Sequence, residues 1–263
     1  ITILEGDSAA VPNGTGTFGS RSMAVGGSAL MIAAGKIIQK GKIIAARLLG
    51  AVPADLSFEQ GMYEVRGTNR RLDFDSVAAA AHAPFDFPHE DIEPGLEAVC
   101  SYDPTNFAFS NGAHLAEVDV DADTGVVSLT AYYAVDDIGT VINPMIAEGQ
   151  IHGGIAQGAG QALMEFCRYD PQDAQLLSGS FLDYAVPRAG DLPVFVSHFD
   201  ESQPCRHNPL GAKGCGESGA IGAPAAIVSA VLNALAPLGV DDIQMPLTSQ
   251  NVWKAICRKR YSA

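Results

Sequence analysis

Apolar positions recur along the chain with two periods, one helical and one strand-like. Over residues 20–49, Met23, Leu30, Met31, Ala34, Ile38, Ala45, Leu48 and Leu49 return at near-helical spacing and predict a long helix. Gly26, Gly27 and Gly41 either interrupt it or mark close packing. Before it, Ile1-Thr2-Ile3-Leu4 reads as a strand, and residues 6–19 read as a glycine-rich loop. Residues 58–65 and 71–74 are extended runs around Gly67-Thr68-Asn69, a hairpin pattern. Asp75 or Ser76 is placed to cap a short helix running through His82, and the proline- and acid-rich residues 83–106 read as loop.

The alternation is clearest at 113–120 and 126–134, two strands joined by Asp121-Ala122-Asp123-Thr124-Gly125. After a loop over 136–143, a helix is expected over 144–166, carrying Gly149, Gly153, Gly154, Gly158 and Gly160. Each glycine costs about 1 kcal/mol in a helix relative to alanine, which points to a partner pressed against that backbone. Further strands are expected at 176–180 and 194–199, then helices at 223–235 and 249–260. No internal repeat or linker stands out. Hairpins mixed with long helices predict an α+β fold, with mixed or antiparallel sheets and long packed helices, not a doubly wound sheet.

Composition narrows the function classes. The chain has 263 residues, 47% hydrophobic and 17% charged, enough for a large core and one or two domains. A net charge of −14 argues against nucleic acid and against an anionic membrane surface. No uninterrupted apolar stretch reaches roughly 18–20 residues and no basic leader precedes one, so a cytoplasmic protein is expected. The opening in mid-strand at Ile1 suggests a piece of a longer polypeptide. Cys100, Cys167, Cys205, Cys215 and Cys257 form no Cys-x-x-Cys pair, and the six histidines, His89 included, show no ligand spacing. No protein-derived metal site is therefore expected in this chain, and a reducing compartment fits the thiols.

The candidate chemistry lies in three glycine-bearing segments. Residues 211–222 hold five glycines around one carboxylate, Glu217, directly before an apolar helix. A glycine loop entering a helix offers free N–H groups to an anion, yet Glu217 would repel a bare phosphate. It reads either as a capping acid or as a reagent aimed beside the anion. In Gly19-Ser20-Arg21-Ser22 the serines suit a helix cap and the arginine suits a phosphate. The Gly14-x-Gly16-x-x-Gly19 spacing does not support a dinucleotide fold by itself, since no strand feeds the turn. Gln150 and Gln157 lie seven apart, on one helix face, either as amide donors to a heterocycle edge or as part of a polar face. Asp119, Asp121 and Asp123 mimic a calcium loop but lack its glycine and terminal glutamate, so a hairpin turn is expected.

Taken in order, Gly16-Thr-Phe-Gly-Ser-Arg-Ser22, the stretch from Asp137-Ile-Gly-Thr-Val-Ile-Asn-Pro144 through Glu148 to Gly158, and Gly211-Ala-Lys-Gly-Cys-Gly-Glu-Ser218 resemble the molybdenum hydroxylases. That is the family of xanthine dehydrogenase and aldehyde oxidase, and the likeness is greatest to its aerobic carbon monoxide dehydrogenase branch. The resemblance implies that residues 1–263 are the C-terminal molybdopterin-binding domain of a large subunit. By the same resemblance, Glu217 is the active-site base. Thr17, Phe18, Gly19, Ser20, Arg21 and Ser22 hold the pterin or its phosphates, and Gln157 contacts the pterin. Lys213, Gly214, Cys215 and Gly216 shape the loop over the metal.

The implied cofactor is molybdenum on molybdopterin, in its cytosine dinucleotide form, with copper an option for the parent enzyme only. The implied partners are the N-terminal half of the large subunit, an iron–sulfur small subunit and an FAD medium subunit, in a dimer of heterotrimers. The implied reaction oxidises carbon monoxide, an aldehyde or an N-heterocycle with a water-derived oxygen. The rival reading is a cofactor-free structural module or an inactive fragment.

Overall fold

The helical period of residues 20–49 is realised as a regular helix only from Ser28. In the computed structural model, which describes residues 1–11, 13–83, 87–88 and 90–260, α1 spans Ser28–Leu49 and follows a π-helical turn at Met23–Gly27. Part of the expected 83–106 loop, including Pro84 and His89, lies outside the described residues. The chain forms two compact units, Val25–Pro104 and the combination of Ile1–Ala24 with Thr105–Ala263.

In the smaller unit α1 buries Gly41, Ile44, Ala45 and Ala46 and ends at Gly50, whose left-handed backbone (φ 60°) returns its N–H to the Ala46 and Arg47 carbonyls. A three-stranded antiparallel sheet follows, β1 Leu56–Glu59, β2 Met62–Val65 and β3 Arg71–Asp73. The single run expected over 58–65 is thus two strands. Gln60 and Gly61 both take positive φ (48° and 77°) and turn the chain back on itself. The short helix α2, Phe74–Ala81, is capped by Asp73, whose carboxylate accepts the Ser76 N–H at 2.6 Å, so the cap sits just before the two expected candidates. Ile44, Leu56, Tyr63, Val65, Val77 and Ala81 form this unit's core.

The larger unit is built on β4, Asn111–Val120, and β5, Val127–Asp137, an antiparallel pair joined by a tight turn. Asp121 accepts the Asp123 and Thr124 N–H groups there (2.9 and 3.2 Å), and Gly125 takes φ 74°. The carboxylate that suggested a cation loop is thus used on the turn's own amides. β6, Phe195–Phe199, adds to β5 in parallel, giving a mixed sheet.

Three helices complete the unit. α3 spans Pro144–Leu163, α4 Ser218–Leu235 and α5 Ser249–Arg260. Asn143 caps α3 by accepting the Ile146 N–H, with Pro144 at the first helical position. Tyr132, Ile151, Ile155, Ala159, Ile227, Val231, Leu235, Val252 and Ile256 pack into one core between helices and sheet.

Several expectations change. Ile1, Ile3 and Leu4 are exposed and unladdered, so residues 1–4 form no strand. Residues 176–180 contribute only an isolated bridge, Tyr169 to Leu176. α3 stops at Leu163, three residues short of 166, and α4 starts five residues before 223. The segment Ser218–Leu238 is therefore long and apolar enough to span a membrane by length and composition, with mean hydropathy 1.8. Ser229 and Asn233 break the apolar run in sequence, and Gly219, Ala223, Ile227, Val231 and Leu235 are buried in the core.

Candidate functional site

Glu217 stands where the glycine loop becomes α4, and both sides of that junction are anchored. Upstream, the Gly211 carbonyl accepts the N–H groups of Thr140 (2.9 Å) and Cys205 (2.8 Å), Ala212 bridges to Gly139, and the Lys213 N–H donates to the Ile138 carbonyl at 2.7 Å. The Lys213 ammonium pairs directly with Asp137 at the end of β5. Burial pushes the Asp137 carboxyl upward, but the hydrogen bonds from Lys213 and the Gly139 N–H outweigh it and hold the group below 3.8. Lys213 is thus a clasp on the sheet.

Downstream, α4 lies directly on α3. A β-carbon on Gly219 would sit 2.4 Å from the Ile151 carbonyl oxygen, and one on Gly158 would sit 2.8 Å from the Ala223 methyl. Gly154 faces Gly219 and Ala220 in the same way. The close partner that the α3 glycines demanded is therefore α4, the helix that follows the Glu217 loop. Gly160 meets Pro187 and Glu165 instead, while Gly149 and Gly153 face nothing within 4 Å.

Ser20 completes the junction from 197 residues away. Its hydroxyl donates to Glu217 Oε2 at 2.7 Å and accepts the Glu217 N–H at 3.0 Å. Ser20 has φ 57°, directly after Gly19 at φ 60°. For a residue with a β-carbon that conformation costs roughly 1–2 kcal/mol. Gly214 admits the contact, since a β-carbon there would lie 2.7 Å from both Ser20 Cβ and the Ser20 carbonyl oxygen. Around Gly216, whose absent side chain leaves the rim open, a β-carbon would meet Gln150 Oε1 at 3.4 Å and Ser20 Oγ at 3.5 Å. Serine hydroxyl and glutamine amide thus converge on one backbone position, directly before Glu217. Among the described residues Glu217 Oε1 has no hydrogen-bond partner, so one carboxylate oxygen is positioned and the other is available to take a proton.

The expected helix cap at Ser20 or Ser22 is not formed. Gly27 precedes α1 without a side-chain cap, the Ser20 hydroxyl is committed to Glu217, and Ser22 shares a 2.7 Å hydrogen bond with Thr17. Arg21 folds over the Phe18 ring, 3.8 Å from its centroid, and donates to Thr15 Oγ1 and the Gly16 carbonyl. Its Nε is buried with no hydrogen-bond partner. Gln157 is exposed on α3, about 10.5 Å along the helix axis from Gln150. Gln150 is the glutamine at the Glu217 loop, and its signal in sequence was the seven-residue spacing to Gln157.

Cys215 is half-buried against the core. Burial first, then the Asp136 charge, raise its thiol pKa, which favours the neutral thiol. Beneath α4 lies a buried trio that motif reasoning missed. His114 Nδ1 meets the Tyr132 hydroxyl at 2.8 Å, and His114 Nε2 lies 3.4 Å from Asp136 Oδ1. Burial and the Asp136 charge push the Tyr132 phenol pKa up. Gly222 rests on the His114 ring, where a β-carbon would come within 2.6 Å. No local pattern marks His114, Tyr132 and Asp136 as partners, because only strand pairing brings them together.

Comparison with known proteins places this geometry among relatives. Residues 1–193 match the family described as molybdopterin cofactor-binding domain, a stretch that ends before the Glu217 loop. Over 97% of its length the chain is 41% identical to the carbon monoxide dehydrogenase large chain of Hydrogenophaga pseudoflava, covering 31% of that protein. Its structure is similar to reconstituted CO dehydrogenase from Oligotropha carboxidovorans, with TM-score 0.88 and 37% identity, over 97% of this chain and 31% of that one. It is also similar to quinoline 2-oxidoreductase from Pseudomonas putida 86, with TM-score 0.83 and 39% identity, over 93% and 31%. The α+β architecture is shared with these structures, and the chain spans about a third of the length of the relatives it matches.

Proposed function

The chain belongs to the molybdopterin cofactor-binding domain family, and from that premise we propose that it is the C-terminal cofactor-binding part of a molybdenum hydroxylase large subunit, with Glu217 as general base. The observation that carries this reading is the Glu217 carboxylate, fixed through one oxygen and open at the other, beside a glycine rim. The surrounding residues fit an anionic, phosphate-bearing heterocycle. The orphaned Arg21 Nε supplies an unspent donor on a cation. The bare backbone at Gly214 and Gly216 allows close approach, and the α3 amides offer paired donors and acceptors.

In this reading Arg21 and the backbone of Thr17, Phe18, Gly19 and Ser22 hold the phosphate-bearing part. Gln150 and Gln157 face the heterocycle, Lys213 and Cys215 fix the loop, and Gly214 and Gly216 give it room. When bound, the cofactor supplies a molybdenum centre that accepts two electrons as the substrate is oxidised. Glu217 accepts at Oε1 the proton released when a water-derived oxygen is added to the substrate carbon. The Lys213–Asp137 clasp and the α3–α4 contact keep that oxygen in place.

The wider assembly follows the same reading. The N-terminal half of the large subunit closes the site, the cofactor is the cytosine dinucleotide form, and electrons leave through iron–sulfur and FAD subunits in a cytoplasmic dimer of heterotrimers. Relatives named for carbon monoxide and for quinoline suggest a small substrate with an electron-poor carbon. Copper is assigned to no residue of this chain.

The test is Glu217→Gln in the parent enzyme. Turnover should fall by about 100- to 10,000-fold, the span of general acid–base catalysis, with molybdenum content unchanged. Near-normal turnover would remove Glu217 from the base role. A wild-type parent enzyme lacking molybdenum after verified cofactor supply would leave only the structural-module reading.

A further inference from the structure

Ser20 occupies a backbone conformation that suits glycine, and what it gains there is visible in the structure. Its φ of 57° lies in the left-handed region, which side chains with a β-carbon avoid. Glycine would adopt it freely, as Gly19 does next door. Strain held in place by surrounding structure is a pointer to function. Here the strained residue makes a two-point contact with one partner, donating to Glu217 Oε2 at 2.7 Å while accepting the Glu217 N–H at 3.0 Å. The ring so formed fixes the backbone and the side chain of Glu217 together.

A second observation concerns what Glu217 does not do. It occupies the N-cap position of α4, beside the first free amides of the helix. Its side chain makes no cap hydrogen bond to those amides, and the carboxylate is held by Ser20. Room for this exists because position 214 is glycine, with any β-carbon there 2.7 Å from Ser20 Cβ. Strained backbone, reciprocal bonding and a glycine clearance all serve a single orientation.

We propose that Ser20 is the positioning residue of Glu217: its hydroxyl draws the carboxylate off the α4 N-terminus and presents Oε1 to the reacting group. The inference rests on the reading of Glu217 as the base. It assigns the Ser20 hydroxyl to the protein's own carboxylate and not to the cofactor's phosphates.

Two variants of the parent enzyme test it. Ser20→Gly removes the hydroxyl and relieves the backbone, so folding is not at risk; Ser20→Ala removes the hydroxyl and keeps the strain. In both, kcat should fall roughly 100-fold, the penalty of a catalytic group displaced by about 1 Å. KM should stay within about threefold and molybdenum content should be unchanged. Independently of turnover, the Glu217 amide should exchange with deuterated water roughly tenfold faster in both variants, in cofactor-loaded and cofactor-free protein alike.

Wild-type kcat in Ser20→Gly, unchanged exchange at Glu217, or loss of molybdenum from both variants would each overturn the proposal, the last by making Ser20 a cofactor ligand. Glu217→Gln is measured in parallel. If that variant stays active, the base reading fails, while the exchange data still report whether Ser20 holds residue 217.

Discussion

Alanine at position 219 would place a methyl carbon 2.4 Å from the Ile151 carbonyl oxygen and 2.5 Å from the Ile155 nitrogen. Ordinary contact begins at 3.4 Å, so α4 must retreat from α3 by about 1 Å (3.4 − 2.4). Both obstructing atoms are helix backbone, and no side chain can rotate out of the way. Overpacking of this kind costs about 1–3 kcal/mol, and alanine returns about 1 kcal/mol through its helix propensity. The net loss is therefore about 0–2 kcal/mol, a fall in Tm of no more than about 8 °C for a chain of this size.

Activity should respond far more strongly. Glu217 lies two residues upstream on the same rigid segment, and a 1 Å displacement of a catalytic group costs roughly 100-fold in kcat. Scanning calorimetry of the 263-residue chain should show the small stability loss, and steady-state kinetics with metal analysis of the parent enzyme should show low kcat at full molybdenum content. Gly153→Ala is the control, since its methyl meets nothing within 4 Å in this chain. It should gain about 1 kcal/mol and keep kcat. A Gly219→Ala enzyme with kcat near wild type would refute the argument that α3 sets the position of Glu217.

Two further changes probe the anchors. Asp137→Asn should cost roughly 3 kcal/mol at neutral pH, because Lys213 keeps a mostly buried charge without its counterion. The Asp137 carboxyl is held below 3.8 in the fold, so its contribution is complete above that pH and disappears as pH falls through the folded-state value. Urea midpoints of wild type and variant should therefore converge in acid, and a gap that stays constant from pH 7 to about 2 would contradict the assignment. Tyr63→Phe in the smaller unit should be neutral or stabilising by up to about 1 kcal/mol. Its hydroxyl is buried without a partner, and burial raises its pKa to about 12. A clear loss of stability in a denaturant melt would show that this hydroxyl has a role in the native state.

Local patterns in this chain carried what local forces decide. The β4–β5 pair was legible to within three residues because inward and outward positions alternate without a break, and α5 was read at its full extent. The run over 58–65 was misread because apolar residues flank Gln60-Gly61 on both sides, hiding a turn inside a continuous pattern. The first turns of α4 read as loop because Gly219 and Gly222 look like breakers. Their actual task is tertiary, to admit the α3 backbone and the His114 ring. Ile1–Leu4 has strand composition and no ladder partner, which composition alone does not reveal. At the site, Ser20 and Glu217 were each conspicuous, but their bond spans 197 residues and no periodicity encodes it.

The loop carrying Glu217 is clasped to β5 at residues 211–213 and pressed on α3 at Gly219, which leaves five residues, 214–218, to bridge the gap. Such a span works as a ruler. One residue more would leave the carboxylate slack, and one fewer would pull Ser20 or α4 out of register. Insertions and deletions, the usual way surface loops diversify, are closed to this segment. Under the proposed function, a change of substrate preference has to be made by exchanging side chains around a fixed loop length.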